Sequence, residues 1–219
     1  MSTAVQTLIS PNTTLLQRAQ RIIRNIAGFE DRFFPNHQEF ASLLEILREM
    51  NCAIVFTTGV WDLLHIGHND YIQNGKLAAL KHCQGFDHII MVVGVDTDEL
   101  TRRRKEGPTR PVVPMEERCR MLAHTRAVDV IVPQYEDGTL HAIVQADVRI
   151  ISETTSDLPG QEVMRANCKH LLILPAQART STTERIRRLA LDGRLEALQQ
   201  VQGKLRALAE EIERDLGQP

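Results

Sequence analysis

From Cys52 onward, short apolar runs alternate with segments of helical periodicity, and this alternation limits the fold more than any other feature. The runs are rich in Val and Ile without strict alternation, which is typical of strands buried on both faces of a parallel sheet. The repeated order of strand and helix predicts a Rossmann-like, doubly wound α/β sheet, whose ligands lie beyond the carboxyl ends of the strands. The predicted strands are Cys52 to Phe56, Ile89 to Val95, Val128 to Val132, Val148 to Ile151 and Leu171 to Leu174.

Helical patterns also flank the predicted sheet. Two of them, Leu15 to Ile26 and His37 to Met50, precede it, and apolar residues recur at steps of three and four from Leu195 to Leu216. We therefore expect three parts. They are an N-terminal helical extension over residues 1–50, an α/β domain over residues 51–192 and a C-terminal helix over residues 193–219. The last helix packs on the N-terminal helices in one interpretation and forms a homodimer contact in the other.

Composition excludes several classes of protein. With 219 residues, of which 42% are hydrophobic, the chain can bury the core of one globular domain. A formal net charge of −2 argues against a dedicated nucleic-acid binder. No apolar run approaches the roughly 18 residues of a membrane span. Met1 to Pro11 does not resemble a secretory signal, and the four cysteines are widely spaced, so we expect a cytoplasmic protein.

The first predicted strand runs into a glycine turn and then into two histidines on either side of a second glycine. The segment reads Thr57-Thr58-Gly59-Val60-Trp61-Asp62-Leu63-Leu64-His65-Ile66-Gly67-His68. Glycines let the backbone approach an anion closely, and a helix start offers unpaired N–H groups. Imidazoles can donate hydrogen bonds to phosphate oxygens as negative charge builds up. A lone His-x-Gly-His could be a simple turn, but its place after a buried strand favours triphosphate chemistry.

These residues resemble the GxFDxxHxGH signature of the cytidylyltransferase-like nucleotidylyltransferases, with Trp61 at the usual phenylalanine. Further segments are similar to the family's other motifs, in the same order, and the resemblance spans roughly Ala53 to Arg188. The further segments are Val93 to Asp98 (second strand and acidic turn), Arg110 to Arg118 (RPVxPxExR), Arg126 to Asp129 (RxVD) and Ser181 to Thr183 (STT). The histidine motif also occurs in class I aminoacyl-tRNA synthetases, but the chain is short for one and carries no KMSKS-type loop.

The resemblance implies roles for these residues. His65 and His68 would bind the triphosphate and stabilise the transition state, Lys76 would reach the phosphates, and Mg²⁺ would be the cofactor, held by the phosphates. Asp62 would contact the acceptor or help to hold the metal, or would only orient the loop. The other residues implied to bind nucleotide are Thr58, Gly59, Trp61, Gly67, Arg126, Ser181, Thr182 and Thr183. Those implied to bind the acceptor phosphate are Arg102, Arg103 and Lys105, in the basic run after the second strand.

One segment departs from the family. After the fourth strand, sugar-phosphate adenylyltransferases usually carry KGGDY, whereas this chain has Ser152-Glu153-Thr154-Thr155 after Ile151. The lysine and both glycines are missing, so the nature of the acceptor stays open.

The resemblance implies a nucleotidylyltransferase that moves the nucleotidyl group of ATP or CTP onto a small phosphorylated acceptor and releases pyrophosphate. The sequences of its RPVxPxExR and RxVD motifs are most similar to those of the heptose-1-phosphate adenylyltransferases. The alternatives are a CTP-dependent enzyme for glycerol-3-phosphate or phosphoethanolamine, and an enzyme that adenylylates FMN or pantetheine phosphate. A regulatory module that binds nucleotide without turnover is an alternative from another class.

Overall fold

The computed structural model describes residues 14–104, 110–153 and 161–177, together with 191, 193–194 and 198–204. The chain divides into two compact units, Met1–Gln177 and Ala178–Pro219. In the second unit, residues 198–204 are helical. The limits predicted for three domains stay predictions.

A five-stranded parallel sheet forms the centre of the first unit, with strand order β3-β2-β1-β4-β5. This confirms the predicted Rossmann-like α/β fold. Because β2 lies on one side of β1 and β4 on the other, the strand order reverses between β1 and β4, which is where such folds open a ligand crevice. The strands are β1 (Cys52–Gly59), β2 (His88–Asp96), β3 (Val130–Gln134), β4 (Ala146–Ser152) and β5 (Cys168–Leu174).

Helices cover both faces of this sheet. Thr14 caps the first helix by accepting the N–H of Gln17, and Asn36 caps the third by accepting the N–H groups of Gln38 and Glu39. The helices are α1 (Leu15–Ile23), α2 (Phe29–Arg32), α3 (His37–Glu49), α4 (Ile66–Ala79), α5 (Asp98–Arg104), α6 (Met115–Ala123), α7 (Thr139–Val144) and α8 (Gln161–Ala166), with a 3₁₀ turn at Leu80–His82.

The core has two halves, one on each face of the sheet. On one face, Phe40 of α3 and Leu140 of α7 pack with Ile54 and Phe56 of β1. On the other face, side chains of α4 and α6 pack with Val55 and its neighbours in β2. The N-terminal helices therefore supply much of the apolar cover of the first face, which stabilises the sheet. In the described part of the chain, no helix is long and apolar enough to cross a membrane.

Candidate active site

The turn from β1 to α4 is held in an unusual backbone conformation. Trp61 and Leu63 have positive φ angles of 58° and 45°, which non-glycine residues adopt only where their surroundings impose it. The buried Trp61 indole donates a hydrogen bond to the carbonyl oxygen of Gly94 over 2.9 Å. The guanidinium of Arg118 donates to the carbonyl oxygen of Val60 from the other side. The turn is thus fixed by a side chain that extends from it to β2 and by another that reaches it from α6.

Asp62 fixes the same turn to the loop that precedes α6. Its carboxylate accepts the backbone N–H groups of Val112 and Val113, each over 3.0 Å, and the residue is 2% exposed. This geometry favours the loop-orienting interpretation of Asp62. Its contact with an acceptor or a metal stays a prediction.

His65 and His68 meet at the start of α4. His65 caps the helix, since its Nδ1 accepts the N–H of Gly67 over 3.1 Å, and His68 Nδ1 accepts the N–H of His65 over 3.4 Å. The two rings stack with their centroids 4.0 Å apart. The rings of Trp61 and His68 meet edge to face, with their centroids 5.6 Å apart. The sequence motif therefore forms one compact pair of imidazoles on a helix N-terminus.

These hydrogen bonds also determine the tautomer of both rings. A neutral imidazole whose Nδ1 accepts a hydrogen bond carries its proton on Nε2. Each ring therefore holds an N–H donor on the side turned away from its own backbone contact. Two such donors beside the positive end of a helix dipole can bind the oxygens of a phosphate. Gly67, between them, is buried in the first turn of the helix.

The structure places Lys76 two turns further along α4, next to Asp129. Its ammonium group forms an ion pair with the Asp129 carboxylate, which also accepts the N–H of Met91 over 2.7 Å. Burial raises the pKa of Asp129, and Lys76 opposes that shift. The reach of Lys76 to phosphates stays a prediction, and its contact here is structural.

Arg126 is exposed in the loop before β3. It lines a shallow groove between α4 and α6 together with Leu64, Asn69, Gln73 and Met121. Its lining residues include Leu64, just before His65, and Asn69, just after His68. The role of Arg126 in nucleotide binding stays a prediction.

Two arginines of α5 are paired with carboxylates. Arg103 contacts Glu136 over 2.9 Å, and Arg104 contacts Asp96 over 2.7 Å. Arg102 is exposed. Lys105 and Ser181, Thr182 and Thr183 lie outside the described residues.

The structure brings one residue to the site that the sequence did not indicate. Arg149 of β4 lies opposite Phe56 of β1, stacks over its ring at 4.5 Å, and donates a hydrogen bond to the Thr58 hydroxyl over 2.7 Å. Burial lowers its pKa to about 10, so it stays charged at neutral pH. The available signal was an arginine inside the apolar run of the fourth predicted strand, where each neighbour is Val or Ile.

The described residues do not form a metal site of their own. They contain no group of three or more His, Cys, Asp or Glu side chains placed to ligate an ion. The Asp62 carboxylate is already engaged by two backbone N–H groups. These residues do not fit a magnesium site built from protein ligands, and the prediction that phosphates hold Mg²⁺ stays a prediction.

A doubly wound parallel sheet with paired, Nε2-protonated imidazoles beyond its first strand defines a nucleotide-handling enzyme of the Rossmann-like class. The profile of the cytidylyltransferase-like family matches residues 56–189, more than half of the sequence, and the chain belongs to this family. It is therefore a nucleotidyltransferase.

The chain is also similar to curated proteins and to a solved structure. The bifunctional protein HldE of Cronobacter sakazakii is 32% identical over 146 residues, which cover 65% of this chain and 29% of that protein. The bifunctional protein HldE of a Nitratiruptor species is 28% identical over 175 residues, which cover 80% of this chain and 35% of that protein. The chain thus spans about a third of the length of these relatives. A solved lipopolysaccharide core biosynthesis protein from Thermoplasma volcanium matches 59% of this chain and 98% of its own, at 19% identity and a TM-score of 0.44.

Proposed function

We propose that this nucleotidyltransferase moves the nucleotidyl group of ATP or CTP onto the phosphate of a small phosphorylated acceptor, with a sugar phosphate similar to heptose-1-phosphate as the first candidate. Pyrophosphate is the second product. The RPVxPxExR wording of Arg110 to Arg118 supports a sugar phosphate. The missing KGGDY segment is the reason to test other acceptors as well.

The observation that carries this proposal is the pairing of His65 with His68. Both Nδ1 atoms accept backbone N–H groups, so both neutral rings carry their proton on Nε2, and the rings stack with their centroids 4.0 Å apart. Donors that are positioned before the substrate arrives need no reorganisation during the reaction. One such donor is worth about 3 kcal/mol, or roughly a hundredfold in rate.

The proposed reaction is a single in-line displacement. An acceptor phosphate oxygen forms a bond to the α-phosphorus, and the bond from that phosphorus to the oxygen that bridges to the β-phosphate breaks. The electron pair of the broken bond leaves with pyrophosphate. The histidine Nε2–H groups stabilise the negative charge that builds up on the transferring and leaving phosphates, and the helix dipole adds to this.

The test is pyrophosphate release by the purified protein, with ATP and with CTP, in the presence of Mg²⁺. The acceptor panel contains heptose and hexose 1-phosphates, glycerol-3-phosphate, phosphoethanolamine, FMN and pantetheine phosphate. Release that depends on both a triphosphate and one sugar phosphate supports the proposal. Release only with another member of the panel would reassign the acceptor.

Tight binding of a nucleotide without release for any acceptor would contradict the proposal. That result would favour the regulatory module. A mock preparation that lacks this protein is the control, because pyrophosphate release there would indicate a contaminating enzyme.

A further inference from the structure

Arg149 is a buried cation with unused hydrogen-bond donors. The residue is 3% exposed, and one terminal nitrogen donates to Thr58. Its Nε and its other terminal nitrogen have no hydrogen-bond partner among the residues that the structure describes. Buried guanidinium groups are normally paired with carboxylates or phosphates, because an uncompensated buried charge is costly.

Arg118 shows what a structural arginine looks like at the same edge of the sheet. It is 1% exposed, and its three nitrogens donate to Val113, to Val60 and to the carboxylate of Asp98. Each of its three nitrogens therefore has a partner within the protein. Arg149 is buried to a similar degree but has only the neutral Thr58 hydroxyl.

The groups around Arg149 do not neutralise it. Asp96, at the end of β2, is a carboxylate whose charge raises the pKa of Arg149 against the effect of burial, and Arg104 already pairs with it over 2.7 Å. The Phe56 ring contacts both the Arg149 guanidinium and the imidazole of His141 in α7. Burial lowers the pKa of His141 to about 4. Tyr71 faces the other side of β1, where its hydroxyl contacts Thr57. Arg104 also pairs with the Asp137 carboxylate, and no carboxylate among the described residues forms an ion pair with Arg149.

The position of Arg149 is as informative as its charge. It lies on β4 next to β1, at the point where the strand order reverses, and Thr58 is the residue before the glycine turn. Thr58 is half-buried, so it connects the guanidinium with the carboxyl edge of the sheet. Of the two arginines that the family resemblance implied for the acceptor, Arg103 contacts the Glu136 carboxylate, whereas Arg102 is exposed.

We infer that Arg149 binds the phosphate of the acceptor, with anionic oxygens replacing the Thr58 hydroxyl and filling the unused donors. This inference rests on the proposed function, because it names a residue for the acceptor of that reaction. A planar guanidinium suits two phosphate oxygens at once. Arg149 is therefore a specificity residue, distinct from the histidines that hold the triphosphate.

The experiment compares wild type with Arg149→Met, which keeps an unbranched apolar stem and removes the charge and the hydrogen-bond donors. Arg149→Lys is a second variant, which keeps the charge and loses the planar fork. Arg165→Met is the matched control, because Arg165 is exposed on α8, just before the amino end of β5. Steady-state pyrophosphate release gives the KM for nucleotide and for acceptor, and calorimetry gives the binding of inorganic phosphate.

We expect Arg149→Met to raise the acceptor KM roughly tenfold or more and to leave the nucleotide KM within about threefold. Arg149→Lys should lie between Arg149→Met and wild type, and Arg165→Met should match wild type. The melting temperature of ligand-free Arg149→Met should stay the same or rise, because an unpaired buried charge has been removed. An acceptor KM unchanged in both Arg149 variants would overturn the inference.

A wild-type protein that releases no pyrophosphate would defeat the proposed function, and the inference would then be decided by phosphate binding alone. Weaker phosphate binding in Arg149→Met than in Arg165→Met would support an anion site at Arg149. Equal binding in the two variants, or none in wild type, would overturn it. If Arg149→Met does not fold, Arg149→Lys decides by the same comparison.

Discussion

Lys76 and Asp129 form an ion pair that joins α4 to the start of β3. The Asp129 carboxylate also accepts the N–H of Met91, so it ties α4, β2 and β3 together. Only 13% of the Asp129 side chain and 23% of the Lys76 side chain are exposed. An ion pair with this little solvent contact is costly to break from one side, because the remaining charge stays buried.

We expect Lys76→Met to lower the free energy of unfolding by about 3 kcal/mol, because Asp129 would be left buried without its cation. Adding Asp129→Leu should restore part of that loss. Urea denaturation of wild type, both single variants and the double variant measures the coupling. A Lys76→Met protein of wild-type stability with strongly reduced turnover would instead support the catalytic role that the family resemblance implied.

Asp62 should act on the site through the loop it holds. Removing its carboxylate in Asp62→Ala leaves the N–H groups of Val112 and Val113 without their acceptor, and we expect a loss of about 3 kcal/mol in unfolding free energy. Asp62→Asn keeps one oxygen acceptor and should lose roughly half as much. Denaturant titration gives both values. Equal stability of the alanine variant and wild type would refute this role.

The fold could be predicted because the signal for each strand lies in the sequence of that strand itself. Apolar runs rich in Val and Ile are typical of buried strands, and each of the five predicted runs overlaps an observed strand. The first strand is longer than predicted, ending at Gly59 rather than Phe56. Its last three residues, Thr57 to Gly59, do not continue the apolar run. They nevertheless continue the hydrogen-bonded ladder with β2, where Thr57 pairs with Val93. Pairing with β2 therefore makes β1 longer than its apolar run, and the local sequence of β1 does not reveal this pairing.

The site was predictable only where its residues are close in sequence. His65 and His68 belong to one helix start, so their spacing alone brought them together. The partners of Asp62 and Arg149 lie 50 and 91 residues away, and the register of β1 against β4 decides the second contact. This is why the sequence indicated the histidine pair and did not indicate Arg149.

His141 should make stability depend on pH. Burial, with Arg149 and Arg104 nearby, lowers its pKa from 6.5 to about 4 in the folded protein. Between these values the unfolded chain binds more protons than the folded one, so stability falls as the pH falls from 6.5 towards 4. We expect a loss of about 2 kcal/mol between about pH 7 and about pH 5 from this group.

A His141→Phe variant isolates that contribution. The phenyl ring can keep the edge contact with Phe56 and cannot take up a proton. Urea unfolding at the same two pH values should show a smaller loss in the variant than in wild type. The same loss in both proteins would mean that other groups produce the pH dependence.

His68→Ala should slow turnover roughly a hundredfold or more with little change in stability, because it removes one preorganised donor from the transition state. Its ring also packs against Trp61, so near-ultraviolet circular dichroism should accompany the kinetics to show that the turn is intact. His88→Ala is the matched control, since His88 is an exposed histidine at the amino end of β2. A His68→Ala rate near that of His88→Ala would contradict the role of the histidine pair.

The most direct test of the central claim is the fate of the α-phosphate. Wild-type protein is incubated with the sugar phosphate that supports pyrophosphate release and with ATP or CTP labelled at either the α- or the γ-phosphorus, and the products are separated. We expect the α-label in a product that contains both the nucleoside and the sugar, and the γ-label in pyrophosphate. Transfer of the γ-label to the acceptor, or an α-label recovered only in nucleoside diphosphate, would contradict nucleotidyl transfer.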